Sequence, residues 1–347
     1  MTTIFVRPVD LESDNQELLS ILQTNLPDLP HARRFDWLYR GNPDGPAWSW
    51  FICEPSGRAV GVASLFPRSM WVGDKREMCG QVGDFAVAAS HRSLGPALLL
   101  QRATFSPVER GELAFCYDCP PHQAGMSTFR RLGMRPNCRI DRYALPMRVD
   151  VRVRKNMGVT SAIPVALGNL LLRLGRRWRN KGGASSLEVG EHVGHFGEEF
   201  SQLDVSLQRA NVIRGRRTCT VLNWRYREDP LQRYEVLTAR RKGELTAFIV
   251  LKTTNQVVTI VDLFGTGLPE SAYSLLASVS ERYERSHQTL EAHLAAESEL
   301  VGYFSNMGFR LRSEAARVVA YAKPKSEMSA LLQGSPIWAF NQAEILV

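Results

Sequence analysis

One stretch of the sequence decides the fold: VGDFAVA (residues 82–88), then ASHRSLGPA (residues 89–97), then the apolar run LLLQRA (residues 98–103). The first part has the length and apolar character of a buried strand. Gly95 and Pro96 mark a tight loop, and proline suits the first turn of a helix, where its missing N–H is no loss. The stretch therefore predicts a strand, a loop and a helix in direct succession.

The loop has the features of an anion site. Gly95 has no Cβ, so a ligand can approach its backbone closely. The unpaired N–H groups of the first helical turn, together with the helix dipole, favour an anion such as a pyrophosphate. Arg92, at the entry of the loop, can add a charge-assisted contact. Many strand–loop–helix units bind nothing, so these residues alone leave both possibilities open.

The chain also contains an internal repeat. FDWLYRGNP (residues 35–43) returns as LNWRYREDP (residues 222–230), and each copy precedes two β-rich runs joined by a glycine turn. TFRRLGM (residues 128–134) returns as YFSNMGF (residues 303–309). The second copy is shorter in its middle and has only FGTGL (residues 264–268) in place of the glycine loop. The repeat predicts buried Trp and Tyr side chains in both copies, with each arginine paired to a carboxylate.

Each copy has the order helix, β-meander, helix, strand, helix, strand. This order predicts an α+β (mixed α/β) fold of two tandem domains, each a mostly antiparallel sheet flanked by helices. The length of 347 residues suits two domains. We predict a first domain over residues 1–147, a connecting segment over 148–188, a second domain over 189–325 and a C-terminal tail over 326–347.

The positive charge is concentrated in one place. The net charge is +8, and residues 148–182 hold nine Lys or Arg with a single acid, so the rest of the chain is neutral overall. A basic surface confined to one segment makes nucleic acid an unlikely partner. Residues 162–181 place leucines and a tryptophan at helical spacing, which predicts a linker helix packed on both halves. The alternative is peripheral contact of this helix with an anionic membrane.

The six cysteines are scattered through the chain. No secretory signal and no long apolar run is evident, so we expect a cytoplasmic protein with reduced thiols. Cys116 and Cys119 form a C-x2-C pair, with His122 and Cys138 nearby. A zinc site usually needs a second such pair, and no metal is predicted.

Taken together, the loop and the order of elements resemble the GNAT superfamily of acyl-coenzyme A-dependent N-acyltransferases. Arg92, Gly95 and Ala97 match its Q/R-x-x-G-x-G/A motif, and RLGM (residues 131–134) resembles the close of its next helix. The resemblance covers residues 1–145, and the second half is similar to a degenerate GNAT repeat. It implies acetyl-coenzyme A or another acyl-coenzyme A as cofactor. The implied contacts are Phe85, Ala86, Val87, Arg92, Ser93, Leu94, Gly95, Pro96 and Ala97.

The sequence departs from the family at one position. The family often has a tyrosine as general acid where this chain has Phe129, and the second half has Phe304. An amine acceptor must also lose a proton to a base within reach. We consider Asp84, Asp118 and His122 as candidate bases and Tyr117, with Ser127 and Cys119, as groups that carry a proton. The structural alternatives are a turn contact for Asp84, a turn former for Asp118 and a surface side chain for His122.

The resemblance implies an acyltransferase that acts on a small-molecule acceptor. We expect an N-acetyltransferase of a small amine or amino sugar, with an envelope or polysaccharide precursor as the acceptor. Two other functions stay open. One is a FemAB-like aminoacyl transfer from aminoacyl-tRNA, and the other is a non-catalytic binding protein that retains the fold.

Overall fold

The computed structural model describes residues 4–120, 123–148, 169, 187–254 and 256–345. Its strands are β1 (Phe5–Pro8), β2 (Trp48–Cys53), β3 (Ala59–Val72), β4 (Lys75–Val87), β5 (Phe115–Asp118), β6 (Cys138–Pro146), β7 (Glu188–Glu191), β8 (Val212–Gly215), β9 (Tyr234–Arg241), β10 (Glu244–Thr253), β11 (Val257–Gly265), β12 (Thr289–Ala295), β13 (Arg310–Ala322) and β14 (Ile337–Trp338). Its helices are α1 (Asn15–Asn25), α2 (His31–Phe35), α3 (Leu94–Glu109), α4 (Gln123–Arg131), α5 (Glu198–Ser206), α6 (Cys219–Tyr226), α7 (Leu268–Tyr283), α8 (Leu300–Asn306) and α9 (Glu327–Gln333).

The strands join into one continuous sheet in the order β1-β2-β3-β4-β5-β13-β6-β12-β11-β10-β9-β7, with β8 and β14 paired beside β3. Most neighbours are antiparallel, as expected when hairpins connect successive strands. Two pairs along the main order are parallel, β4 with β5 and β11 with β12, because a helix crosses between the members of each pair. The predicted α+β class with a mostly antiparallel sheet is confirmed.

The two halves exchange their last strands. β13, from the second half of the chain, pairs with β5 of the first half, and β6, from the first half, pairs with β12 of the second. β13 and β6 also pair with each other and so join the two parts of the sheet. Neither half therefore completes its own sheet, and unfolding of one removes strand partners from the other.

Helices cover both faces of the first half. On one face, α1 and α2 pack on a cluster that includes Leu18, Phe35 and Phe66. On the other face, α3 and α4 pack on a cluster that includes Phe105 and Phe129. Between these two layers, β4 lies beside β5 in the middle of the sheet, and β4 leads through the loop into α3.

The repeated tryptophans pack against each other across the two halves. Trp37 Nε1 donates to the Trp224 carbonyl at 2.8 Å, and Trp224 Nε1 donates to the Trp37 carbonyl at 3.0 Å. Their rings stack with centroids 5.0 Å apart. Such a reciprocal contact is the pattern of a two-fold interface, here inside one chain.

Among the repeated Tyr and Arg side chains, three follow the prediction and Arg227 does not. Tyr39 and Tyr226 are buried, as predicted. Arg40 pairs with the Asp36 carboxylate at 2.7 Å. Arg227 instead donates to backbone carbonyls, those of His192 at 3.1 Å and Tyr234 at 3.4 Å.

Candidate functional site

β4 and β5 separate partway along their length. They pair only over residues 79–81 and 115–117. β4 then continues to Val87, whereas β5 ends at Asp118. In the part of the chain that the structure describes, residues 82–87 have no strand partner on the β5 side. Their backbone groups can therefore pair with an extended ligand, in the way that an added strand pairs with a sheet edge. Phe85, Ala86 and Val87 lie on this edge.

A β-bulge lies at the start of the gap. Two residues of β4, Asp84 and Phe85, oppose the single residue Ala63 of β3. Asp84 has a φ of +47°, a left-handed conformation that costs a residue with a Cβ about 1–3 kcal/mol. Bulges of this kind re-aim side chains and recur beside active sites.

The loop after β4 leads directly into α3. A single 3-10 turn spans Ala89–His91, Ser93 is extended, and α3 begins at Leu94 with Pro96 in its first turn. The predicted succession of strand, loop and helix is confirmed. A Cβ placed on Gly95 would meet nothing within 4 Å. The described residues therefore leave this space open, and a ligand can approach the first-turn amides from there.

Arg92 is anchored at the base of the loop. Its Nε donates to the Val87 carbonyl at 3.0 Å. A guanidinium has five N–H donors in a planar fork, so the same side chain can also donate to a phosphate. The neighbouring His91 contacts Glu54, with Nε2 and Oε1 3.1 Å apart. Arg92, Ser93 and Gly95 are exposed, whereas Pro96 is buried.

Asp84 lies in a buried polar cluster on the α1–α2 side of the sheet. Its Oδ1 forms an ion pair with Arg34, and its Oδ2 accepts a hydrogen bond from the Tyr39 hydroxyl at 2.6 Å. The Arg34 and Asp84 side chains are only 2% and 6% exposed. Burial, reinforced by the Asp84 charge, raises the pKa of Tyr39 well above its usual value. Both carboxylate oxygens of Asp84 are thus committed within the protein.

The same cluster recurs in the second half. Asp262 of β11 pairs with Arg217 at 3.1 Å and accepts from the Tyr226 hydroxyl at 3.4 Å. Tyr226 is the repeat partner of Tyr39, and β11 carries a bulge next to Asp262. Because the second half lacks the glycine loop, the recurrence supports a structural role for Asp84, as the partner of Arg34 and Tyr39 rather than as the expected turn contact.

Asp118 ends β5 on the other face of the sheet. Since side chains alternate along a strand, it points to the same side as Cys116, toward the cluster of Phe105 and Phe129. Burial raises the pKa of Asp118 to about 7, against a smaller opposite effect of the Cys119 N–H. The described residues provide no ion pair to Asp118. A carboxylate with a near-neutral pKa is suited to accept a proton at neutral pH.

Tyr117 points away from Asp118. Its hydroxyl has two acceptors within hydrogen-bond distance, Gln81 Oε1 at 3.3 Å and the Glu344 carbonyl at 3.2 Å, which share its single proton. The side chain is 1% exposed, and burial raises its pKa well above the usual value. The structure therefore places Tyr117 and Asp118 on opposite faces, although they are neighbours in the sequence.

The remaining candidates divide between buried, exposed and undescribed positions. His122 lies outside the described residues. Phe129 is buried in α4 and Ser127 is exposed on the same helix. Cys119 is buried, which raises its pKa and disfavours its thiolate.

Comparison with solved structures places this arrangement in a known fold. The chain matches a probable N-acyltransferase from Enterococcus faecalis, a conserved protein of unknown function, with a TM-score of 0.68 and 12% identity over 92% of this chain and 72% of that one. A GCN5-related N-acetyltransferase from Anabaena variabilis matches with a TM-score of 0.66, 12% identity and the same coverage. The chain has the GNAT fold.

A third match extends the same fold to a liganded structure. Saccharomyces cerevisiae N-myristoyltransferase with bound myristoyl-CoA matches with a TM-score of 0.55 and 11% identity, over 93% of this chain and 84% of that one. No protein-family model matches the sequence, and no curated protein matches it. The likeness thus rests on three-dimensional structure, and it establishes the fold.

Within this GNAT fold, the described residues contain no cluster of three or more His, Cys, Asp or Glu side chains that could hold a metal ion. Cys116 and Cys119 are buried, and burial raises the pKa of both thiols. A metal-binding cysteine must be a thiolate, which these surroundings oppose. No helix in the described ranges is long and apolar enough to cross a membrane.

Sequence reasoning missed two parts of the site region. The first is Arg34, the buried partner of Asp84. The second is the C-terminal segment, residues 338–344, which packs beneath β5 and reaches Tyr117 through the Glu344 carbonyl. The run IWAF (residues 337–340) was an available signal, because four consecutive apolar residues, two of them aromatic, indicate burial. Trp338 and Phe340 are indeed 1% and 0% exposed.

Proposed function

We propose that the protein is an acyl-coenzyme A-dependent N-acyltransferase whose first half binds the acyl-coenzyme A. The observation that carries the proposal is the gap between β4 and β5, which leads into the Arg92–Ala97 loop and the N-terminus of α3. In the part of the chain that the structure describes, the backbone of residues 82–87 has no strand partner on the β5 side, and the loop over residues 92–97 follows closely in the sequence. One long ligand that carries a pyrophosphate can therefore contact both. The acyltransferase names of the structural neighbours, one of which binds myristoyl-CoA, support this function.

Two sets of residues would hold the cofactor. The backbone amides around Leu94, Gly95 and Ala97, with the Arg92 guanidinium, would bind the pyrophosphate. The backbone of Phe85, Ala86 and Val87 would bind the extended pantetheine arm. When bound, the cofactor supplies an acyl group activated as a thioester. The empty space beside the Gly95 Cα agrees with such a role, because a side chain there would occupy the approach to the amides.

We assign the general-base role to Asp118. The acceptor is an amine that is protonated in water, and it must lose a proton before it attacks a carbonyl carbon. The Asp118 carboxylate has no ion pair among the described residues, and its pKa of about 7 allows it to accept that proton near neutral pH. Asp84 instead holds the bulge in place through Arg34 and Tyr39.

We assign no side chain as general acid. Phe129 is apolar, and the Tyr117 hydroxyl is committed to Gln81 and Glu344. A thiol has a pKa near 8.5 in water, so a thiolate leaves without strong assistance and solvent can protonate it. The reaction then depends mainly on positioning and on Asp118.

The finer parts of the proposal rest on the sequence. We propose acetyl-coenzyme A as the donor and a small amine or amino sugar of envelope or polysaccharide synthesis as the acceptor. We also propose a cytoplasmic location, with peripheral membrane contact through residues 162–181. The resemblance to GNAT enzymes and the basic composition of that segment support these points. Apart from Asn169, the segment lies outside the described residues.

A thermal-shift experiment with acetyl-coenzyme A tests the cofactor site. A ligand that binds only the folded state at 100 times its Kd adds about 2.7 kcal/mol of stability, which is a Tm rise of roughly 4 °C for a chain of this size. We expect the rise in the natural protein and its loss in an Arg92→Ala, Gly95→Trp double variant.

The matched control is Gly197→Trp. Gly197 caps α5 in the second half, is exposed, and has nothing within 4 Å of an added Cβ, as at Gly95. The control should retain the rise. Absence of any rise with acetyl-, butyryl- or palmitoyl-coenzyme A would reject the proposal and favour an aminoacyl-tRNA donor or a non-catalytic role. Salt-dependent binding of RNA would then separate these two.

A further inference from the structure

The second half contains a pocket of about 210 Å³ at the point where β11 and β12 separate. Residues from the end of β11, the start of α7 and the start of α8 form its walls, and β8 and β14 close it. Most of the lining is apolar. The side chains that carry this character are Leu207, Leu263, Phe264, Leu268, Leu300 and Ile337.

This position is equivalent to the gap between β4 and β5. β11 and β12 pair over residues 257–260 and 289–292, and then they part. The anion-binding features are fewer here, however, because Gly267 before α7 is open like Gly95 but no arginine stands in the loop over residues 264–268 as Arg92 does in the first half. A Cβ on Gly265 would lie 2.2 Å from the Ala247 Cβ, so this glycine serves packing within the protein. Glu270, in the first turn of α7, pairs with Arg241 and places a carboxylate near the helix N-terminus, where a phosphate would bind. The pocket is therefore unsuited to a second coenzyme A.

Each arginine that lines the pocket is paired with a carboxylate, and the carboxylates outnumber the arginines. Arg214 pairs with Asp204, and Arg217 pairs with Asp262 and Glu344, so both buried guanidiniums are neutralised. These are the three ion pairs behind the lining.

At the rim, Arg209 pairs with Glu299 at 2.8 Å. Glu297 also lines the pocket and is exposed, and the described residues offer it no ion pair. Among the described residues, the Glu297 carboxylate thus has no charge partner at the mouth of an apolar cavity. A ligand with an apolar body and a positive end matches this arrangement, whereas an anion would meet Glu297 without compensation.

We propose that this pocket binds a small apolar amine, with the body of the ligand inside and its ammonium group beside Glu297. A cavity of about 150 Å³ lined by aliphatic and aromatic side chains accepts benzene. The 210 Å³ here has room for a phenyl ring and a short chain. The site is separate from the coenzyme A site of the first half, and its existence does not depend on the proposed function.

Binding of two charge-opposed probes to the full chain tests the proposal. 2-Phenylethylamine and 3-phenylpropionate share a ring and a two-carbon chain but carry opposite charges. We expect calorimetry or ligand-observed NMR to detect the amine and to show weaker binding of the acid. Glu297→Gln should weaken the amine about two- to fivefold, as for an exposed ion pair. Its matched control, Glu228→Gln at another exposed glutamate, should leave affinity unchanged.

A second experiment blocks the entrance of the pocket with a larger side chain. Ile337 is 41% exposed at the lip, so Ile337→Trp should block entry without disturbing the core, and binding of the amine should disappear. Val193→Trp, at a position 83% exposed and outside the lining, is the control. The proposal is overturned if the natural protein does not bind the amine, if the acid binds equally well, or if Ile337→Trp binds normally. The acetyl-coenzyme A shift on the same samples reports separately on the first half.

Discussion

The two halves share a scaffold and differ in the chemistry placed on it. Each has a bulged strand whose Asp is held by a buried Arg and Tyr, Asp84 in one and Asp262 in the other. Each also has a parallel strand pair that separates after three or four residues. In the described residues, the first half continues into the glycine loop with Arg92 at its entry, whereas the equivalent helix of the second half begins beside Glu270 and the pocket lined by Leu263 and Leu300. What recurs therefore maintains the fold, and what differs marks candidate binding sites.

The comparison extends to the residue just beyond each parallel pairing. Asp118 stands there in the first half and His293 in the second. Burial raises the pKa of Asp118 to about 7 and lowers the pKa of His293. Burial thus favours the neutral form of both groups. As the pH rises through 7, the Asp118 carboxyl still loses its proton and becomes charged. The His293 imidazole has already lost its proton and stays neutral.

The largest expected effect comes from removing the base of one half only. Asp118→Asn should lower kcat by about 10²- to 10⁴-fold, the usual contribution of a general base, with the acetyl-coenzyme A thermal shift retained. His293→Asn, the matched change in the second half, should leave kcat within about twofold. Steady-state kinetics with an accepting amine check both. Equal losses in the two variants would refute the assignment of the base to the first half.

The next effect tests whether Asp84 and Asp262 have the same structural role. Asp84→Asn should destabilise the fold by about 3–5 kcal/mol, because it removes the carboxylate that faces the buried Arg34. Asp262→Asn should cost less, because Glu344 still faces Arg217 at 2.7 Å. Urea unfolding measures this loss. A stable Asp84→Asn protein that had lost turnover would instead make Asp84 the base and would end the equivalence of the two clusters.

A smaller effect concerns stability against pH. The pKa of Asp118 is raised from an ordinary value of 3.8 to about 7 in the folded protein. The contribution of the protonated Asp118 to the free energy of unfolding is therefore fully present below pH 3.8, and it is lost as the pH rises through 7. Asp118→Asn should stabilise the protein by about 1–3 kcal/mol at pH 8 and hardly at pH 4. Urea unfolding at the two pH values measures the difference, and equal effects would show that the carboxyl is not desolvated.

The ionisation of Asp118 should also determine how the activity depends on pH. The kcat/KM of the natural protein should rise with pH and level off above an apparent pKa near 7, since the base must be ionised. The profile of the slow Asp118→Asn variant should lack this inflection. An unchanged profile in the variant would assign the pKa to another group.

The smallest effect is expected at the contact between the halves. Trp37→Phe and Trp224→Phe each remove one hydrogen bond across the pseudo-two-fold axis and should cost about 1 kcal/mol. The rings stack, so the double variant should show a coupling energy of about 0.5–1.5 kcal/mol. Additive losses in a double-mutant cycle would mean that the reciprocal contact does not act as a unit.

Much of the fold was predictable because its signals are local. The apolar run at residues 82–88, Gly95 and Pro96 specify a strand, a loop and a helix through residue size and backbone preference. The repeated Trp-x-Tyr-Arg pattern showed the duplication before any contact was known. The opposite directions of Tyr117 and Asp118 also follow from the period of a strand.

The sequence by itself thus determined the elements, their duplication and the half of the chain that carries the glycine loop. Only the tertiary structure decided that β13 and β6 change places, that Arg34 neutralises Asp84, and that Glu344 reaches Arg217 and Tyr117. These contacts join residues far apart in the chain. Strand partners and buried ion pairs are selected by the free energy of the whole packed core, and no short window of sequence contains that information.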